Sequence, residues 1–150
     1  RAENNGLAID VRYQTMDGRL LDPTNITQGT DLMAVVTIQH NGVRGWYQNL
    51  ALTQVFPSGW EIRNSRLEGT EEAASNSAFS YQDIRDDRVM TYFNLRAGEQ
   101  ATYRIFLNAA YVGRYYLPAS ICEAMYDHTV NARDRGRWVN VNRPGGASAP

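Results

Sequence analysis

Lysine is absent from this chain of 150 residues: all 15 basic residues are arginines. Schiff-base chemistry and a lysine general base are therefore excluded within it. Carboxylates must instead be paired by planar, bidentate guanidinium contacts. The simplest origin of the bias is genomic base composition. A single cysteine, Cys122, rules out an internal disulfide and fits either a reducing cytoplasm or a periplasm. The two histidines, His40 and His128, fall short of the three or four ligands a zinc site needs. There is no run of about 18 apolar residues to span a membrane and no basic-then-apolar leader at the start. An exported form would carry its signal on sequence ahead of Arg1. Acidic and basic residues nearly cancel, at a net charge of -1, so no footprint for nucleic acid or anionic lipid is written in the charge. No Gly-rich phosphate loop, Gly-x-Ser-x-Gly elbow or His-Glu-x-x-His pair occurs.

What is present is a period of two. Leu7, Ile9, Val11 and Tyr13 alternate with polar or small residues, and Asp17-Gly18 follows as a hairpin turn. Asp22-Pro23-Thr24-Asn25 is a second turn. Leu32, Ala34, Val36 and Ile38 share a face. Leu50, Leu52, Val55 and Phe56 mark another strand, whose period slips near Gln54, a pattern that predicts a β-bulge there. Leu67 to Ser80 is small and polar and predicts a long surface loop. Val89, Thr91, Phe93 and Leu95 share one face, and Tyr103, Ile105 and Leu107 another. Tyr115 to Met125 reads as one strand broken by Pro118. Asp127 to Asp134 reads as one short helical turn with Asp127 as its N-cap. Trp138, Val139 and Val141 close the pattern. Seven to nine short strands without a long helix predict an all-β fold, an antiparallel β-sandwich of immunoglobulin-like type. Its boundaries are expected at 1–142, with a flexible tail over 143–150. The ragged ends suggest a piece of a longer protein.

Several constellations invite a chemical reading. Asp83, Arg85, Asp86, Asp87 and Arg88 crowd the entry to a strand. Three carboxylates are oxygen ligands for a hard cation, but the two arginines oppose one, which favours a salt-bridged corner. Cys122 and His128 could form a nucleophile pair only if their side chains meet; if the segment is a strand, residues six apart are separated by about 20 Å. Trp46, Tyr47 and Trp60 would form a sugar-stacking line if all were exposed, as in a carbohydrate-binding or adhesive module, but aromatics in a sandwich are more often core or corner residues. Met125 and Tyr126 end a strand beside Asp127.

Read together, Arg85-Asp86-Asp87-Arg88, Gly113-Arg114-Tyr115-Tyr116-Leu117-Pro118, Glu123-Ala124-Met125-Tyr126 and Trp60 after Pro57-Ser58-Gly59 resemble the C-terminal, tenth macroglobulin-like domain of bacterial alpha-2-macroglobulins. The resemblance covers about Gly6 to Val141. It implies a non-enzymatic domain of a broad-spectrum protease inhibitor of the periplasm or cell envelope, with no cofactor and no metal. Its partners would be other domains of the same chain, above all the thioester domain, and target proteases through the full-length protein. Nucleic acid and direct membrane insertion are not implied. Met125 and Tyr126 would shelter the thioester from water, and the Asp83 to Arg88 corner would add structure or interface. The chain itself lacks the family's thioester motif, since no Gln follows Cys122 at the required spacing.

Overall fold

Alternation decides which face each strand buries. In the computed structural model, which describes residues 3–42, 45–63 and 76–145, Val89, Thr91, Phe93 and Leu95 are all buried, and so are Tyr103, Ile105 and Leu107. Among the described residues there are thirteen strands and no helix. In chain order they are β1 Glu3–Asn5, β2 Leu7–Thr15, β3 Asn25–Thr27, β4 Asp31–His40, β5 Trp46–Val55, β6 Trp60–Arg63, β7 Tyr81–Ile84, β8 Arg88–Arg96, β9 Gln100–Ala109, β10 Gly113–Leu117, β11 Ile121–Ala124, β12 Asp127–Arg133 and β13 Arg137–Asn142. They form a six-stranded sheet (β1-β12-β11-β5-β8-β7), a four-stranded sheet (β2-β4-β9-β6) and a three-stranded sheet (β10-β13-β3). All named pairings are antiparallel except β13 with β3. The count exceeds the expected seven to nine because short edge strands such as β1 and β3 carry too few residues to show a period.

The large sheet packs face to face on the four-stranded one. Leu50, Leu52, Phe93, Cys122 and Ala132 from the first meet Leu7, Ile9, Val36, Ile38 and Tyr103 from the second. A second cluster closes the other end, where Trp60, Phe56 and Val89 pack with Leu117, Val139, Val141 and Ile26. The latter four bring in the three-stranded sheet. Burial of apolar side chains on this scale is the main stabilising term of the fold. In β4, flanked on both sides by β2 and β9, Met33 and Val35 are buried as well as the expected Leu32, Ala34, Val36 and Ile38.

Three expectations are corrected. Gln54 does not mark a bulge: Leu50, Leu52 and Gln54 all face inward in unbroken alternation, and the register shift lies between Tyr47 and Leu50. Asp127–Arg133 is a strand, not a helical turn. Pairing with both β11 and β1 satisfies its backbone groups, and its inward Val130 and Ala132 join the core. Tyr115 to Met125 is two strands in different sheets, β10 on β13 and β11 on β5 and β12, with Pro118 in the crossing. Of the expected loop from Leu67 to Ser80, residues 67–75 lie outside the described residues. The rest is pinned to β9, where Ser77 N–H donates to Thr102 O and Arg104 N–H to Asn76 Oδ1. The tail expected over 143–150 likewise lies outside them from 146 onward.

Candidate interface site

The β11–β12 hairpin turns through Met125 and Tyr126, with Ala124 opposite Asp127. Both side chains face solvent, Met125 48% and Tyr126 82% exposed. Because they form the tip of a turn, strand register does not decide their direction. The backbone of the tip is held from two sides. Met125 N–H donates to the Asn49 carbonyl at 3.0 Å. Asn49 sits at the register shift of β5 with φ 58°, a left-handed conformation that Asn tolerates better than most side-chain-bearing residues. Its own N–H donates to Asn94 Oδ1 at 2.9 Å. On the other strand the Asp127 carboxylate accepts from the Thr129 hydroxyl at 2.6 Å and from Thr129 N–H at 3.0 Å. Those bonds, the hydroxyl's first, hold the Asp127 carboxyl below the usual carboxylate range.

Beside the tip lies a concavity of about 250 Å³ whose walls include Trp46, Tyr47, Gln48, Asn49, Ala124 and Tyr126. Tyr47 stacks on the buried His40 ring at 3.7 Å and 3° between planes, and His40 Nδ1 accepts from Gly42 N–H at 2.9 Å. The exposed Trp46 carries the Arg96 guanidinium 5.0 Å from its ring centroid. The site therefore offers a thioether, a phenol and an aromatic shelf. It can pack against a partner, exclude water and donate one hydroxyl, and it holds no acid–base pair. Sequence reasoning singled out Met125 and Tyr126 but not Asn49, whose conformation depends on pairing with β8.

The charged corner lies elsewhere. Arg85 N–H donates to Arg88 O across the β7–β8 turn, Arg85 Nε pairs with Asp83 at 3.0 Å, and Arg88 makes two bonds to Asp87 at 3.0 and 3.2 Å. The Arg88 hydrogen bonds are the main reason the Asp87 carboxyl is held low. Asp86 lines a concavity of about 730 Å³ with Glu61, Arg63 and Arg85. Arg88 pairs with Val55, whereas the hairpin tip sits at the Asn49 end of the same strand. The two groups are therefore separated by about 20 Å of β5, and the fold does not bring them together.

Other candidates disperse. Cys122 is fully buried, and burial pushes its thiol up to about 12. The chain between Cys122 and His128 is a hairpin turn rather than one extended strand, yet Cys122 pairs with Ala132 and faces the core, whereas His128 is exposed. Trp60 is 2% exposed, packed on Phe56 and Tyr13, and Tyr47 is half-buried, so no sugar-stacking line of Trp46, Tyr47 and Trp60 exists. Among the described residues no three His, Cys, Asp or Glu side chains converge as metal ligands.

Fold and site together define a macroglobulin-like β-sandwich that presents an exposed hairpin tip hydrogen-bonded to Asn49. Residues 6–128 match the family model of the bacterial alpha-2-macroglobulin MG10 domain. The chain belongs to the bacterial alpha-2-macroglobulin family, as its MG10 domain. It is 28% identical over 158 residues to an alpha-2-macroglobulin homolog of Yersinia pestis, covering 91% of this chain and 8% of that protein. To the alpha-2-macroglobulin of Xylella fastidiosa (strain Temecula1) it is 26% identical over 141 residues, 83% of this chain and 8% of the relative. The chain thus spans about a twelfth of the length of these relatives. Among solved structures, Salmonella alpha-2-macroglobulin reacted with methylamine superposes with a TM-score of 0.81 at 20% identity over 94% of this chain and 9% of that one. Trypsin-activated alpha-2-macroglobulin from Escherichia coli gives 0.81 at 19% identity over 95% of this chain and 11% of that one.

Proposed function

We infer that this domain works without catalysis, as a conformational element of a broad-spectrum protease inhibitor in the cell envelope. Its hairpin tip docks on the thioester domain of the same long chain and keeps water from the thioester until a protease triggers the molecule. The observation that carries this reading is the exposure of Met125 and Tyr126 on a tip whose backbone is anchored to Asn49. A large apolar side chain and a phenol left in solvent on a hydrogen-bonded turn are suited to a partner surface. The reading also draws on two relatives, a Salmonella alpha-2-macroglobulin that reacted with methylamine and an E. coli alpha-2-macroglobulin activated by trypsin. The Asp83–Arg88 corner serves the fold, closing the β7–β8 turn.

The test uses the full-length parent protein. Thiol release by methylamine, before any protease is added, is compared between wild type and Met125→Ala/Tyr126→Ala. The expected result is slow release in the wild type and release at least about tenfold faster in the variant, the effect of losing roughly 1.4 kcal/mol of closed-state contact. Equal rates from a folded variant would reduce both residues to packing. A parent with no releasable thiol would remove the shielding role altogether.

A further inference from the structure

An antiparallel sheet with one face on the core and the other in water alternates apolar and polar positions. The outer face of the six-stranded sheet departs from that pattern. Its three central strands turn Met90, Thr53 and Ile121 outward in one row, in register across β8, β5 and β11, and Tyr92, Ala51 and Glu123 in the next. All but Glu123 are uncharged, and those five are only part-exposed. Val55 extends the patch along β5. The Tyr92 hydroxyl stays within the face, donating to the Met90 sulfur at 3.8 Å, and the Tyr81 ring lies 5.8 Å from the Tyr92 ring. Charge gathers at the margins. Asp83, paired with Arg85, ends the first row on β7, and Arg133 ends it on β12. The four-stranded sheet is arranged otherwise: its outward Val35 stands between Arg12 and Arg104 in register and is already buried within the domain.

An apolar centre inside a charged rim is the anatomy of a protein interface. Two observations choose the partner. The face leads into the hairpin tip, because β11 turns Ile121 and Glu123 outward and ends beside Met125, about 13 Å from Ile121. Its size is the second. Five strands about 4.8 Å apart, and about 20 Å of β5 from Val55 to Asn49, outline roughly 400 Å². Covered from both sides, that is about 800 Å², within the roughly 600–1,500 Å² typical between domains of one chain and short of the roughly 1,200–2,000 Å² of a stable complex between separate molecules. A tethered domain fits this area better than a second copy does. The relatives are far longer than this chain, which covers 8% of each.

We propose that the domain receiving the hairpin tip also covers this sheet face in the native parent protein, seated on Met90, Tyr92, Thr53 and Ile121, and leaves it when a protease triggers the molecule. This extends the docking inferred for the tip and rests on it. The sequence hides the face, because its rows are assembled from strands far apart in the chain.

The test is hydroxyl-radical labelling of the full-length parent before and after reaction with elastase, read residue by residue by mass spectrometry. A thioether and a phenol both report their exposure to the radical. Met90 and Tyr92 should be labelled several-fold less in the native protein than after reaction, together with Met125 and Tyr126. Thr53→Arg places a guanidinium in the centre of the contact on an outward side chain. It should raise Met90 labelling in the native protein and speed methylamine-induced thiol release at least about tenfold, since a charge pressed into an apolar contact must be desolvated. Met90 and Tyr92 labelled equally before and after reaction, with Met125 and Tyr126 still protected, would overturn this proposal and leave the tip reading standing. Loss of protection at all four would overturn both. Protection of Met90 that grows with protein concentration would assign the face to a second copy and overturn it as well. Native-state labelling of Met90 unchanged by Thr53→Arg in a folded protein would do the same, and the labelling of the unsubstituted parent decides the matter if that variant does not fold.

Discussion

The ring of Tyr115 lies across Gly59: a Cβ added at Gly59 would meet ring Cε2 at 2.2 Å and Cζ at 2.4 Å. The contact closes a corner from both sides. The Tyr115 hydroxyl donates back to the carbonyls of Tyr111 at 2.9 Å and Val112 at 3.1 Å, while the Gly59 carbonyl accepts from Ala110 N–H and Tyr111 N–H at 2.9 and 3.0 Å. The arrangement has the logic of a tyrosine corner, in which a phenol ties the start of a strand to the loop before it. Gly59→Ala is expected to lower stability by about 1–3 kcal/mol, as overpacking does. The same change in a Tyr115→Ala background should cost far less, because the clashing ring is gone. Urea midpoints of the four proteins decide it, and an equal cost of Gly59→Ala in both backgrounds would sink the idea.

Asn49 is the hinge between the fold and the hairpin tip. Its left-handed backbone, at φ 58°, presents the carbonyl that receives Met125 N–H. Asn49→Gly should be tolerated, since glycine adopts that conformation without strain. Asn49→Ala should be less stable than Asn49→Gly by about 1–2 kcal/mol, the penalty of a Cβ in the left-handed region; asparagine carries that Cβ too, eased by its short polar side chain. Hydrogen exchange at the Met125 amide reads the local effect: faster in Asn49→Ala, near wild type in Asn49→Gly. Equal protection in the two variants would separate the conformation of Asn49 from the order of the tip.

How far the sequence reaches can be judged from these same residues. The inward sets of β8 and β9 were legible because alternation is a local property, and so was the turn at Asp17-Gly18, where Gly18 has φ 89°. Sheet membership was not. Pro118 announces a break, but nothing near it says that β10 and β11 leave for different sheets. Asp127 misled because a carboxylate that caps the amide two residues on looks the same before a helix and before a strand, and pairing with β1, more than a hundred residues away, decided between them. Trp60 was legible as a core or corner residue rather than an exposed stacking ring. Its neighbours read as a surface turn, and its ring fills the end of the core. Of the candidate site, Met125 and Tyr126 were legible through resemblance, whereas their exposure and their support from Asn49 required the fold.

The Asp127 carboxylate predicts how the tip responds to acid. Its folded-state titration lies below the ordinary carboxylate range, chiefly through the Thr129 hydroxyl and then Thr129 N–H. A group held low in the folded state contributes order above its unfolded value and loses it as pH falls through the folded one. Protection of the Thr129 amide against exchange should therefore be full at neutral pH and decline only below about pH 4, once the intrinsic pH dependence of exchange is removed. Asp127→Ala should show the lowered protection already at neutral pH, and its protection should not change further with acid. A pH profile identical in both proteins would mean that the carboxylate does not hold the turn.

Cys122 makes the opposite prediction, at the alkaline end. Its side chain is fully buried between the two large sheets, and that burial raises the thiol to about 12, with Glu123 adding to the shift. The thiolate is the reactive form, so the native chain should resist iodoacetamide and aromatic disulfides at pH 8 and react at once in denaturant. For linkage, the unfolded thiol ionises near its ordinary value of about 9 and the folded one does not. Stability is therefore retained below pH 9 and falls as pH rises from there toward 12. Cys122→Ala should remove that thiol's share of the alkaline loss, while lowering stability at neutral pH by about 1 kcal/mol or more for the space it leaves in the core. Urea unfolding at pH 7 and pH 10 of both proteins gives the comparison. If wild type loses no more stability than Cys122→Ala between these two values, the thiol ionises as readily in the fold as out of it, and its burial has no bearing on its chemistry.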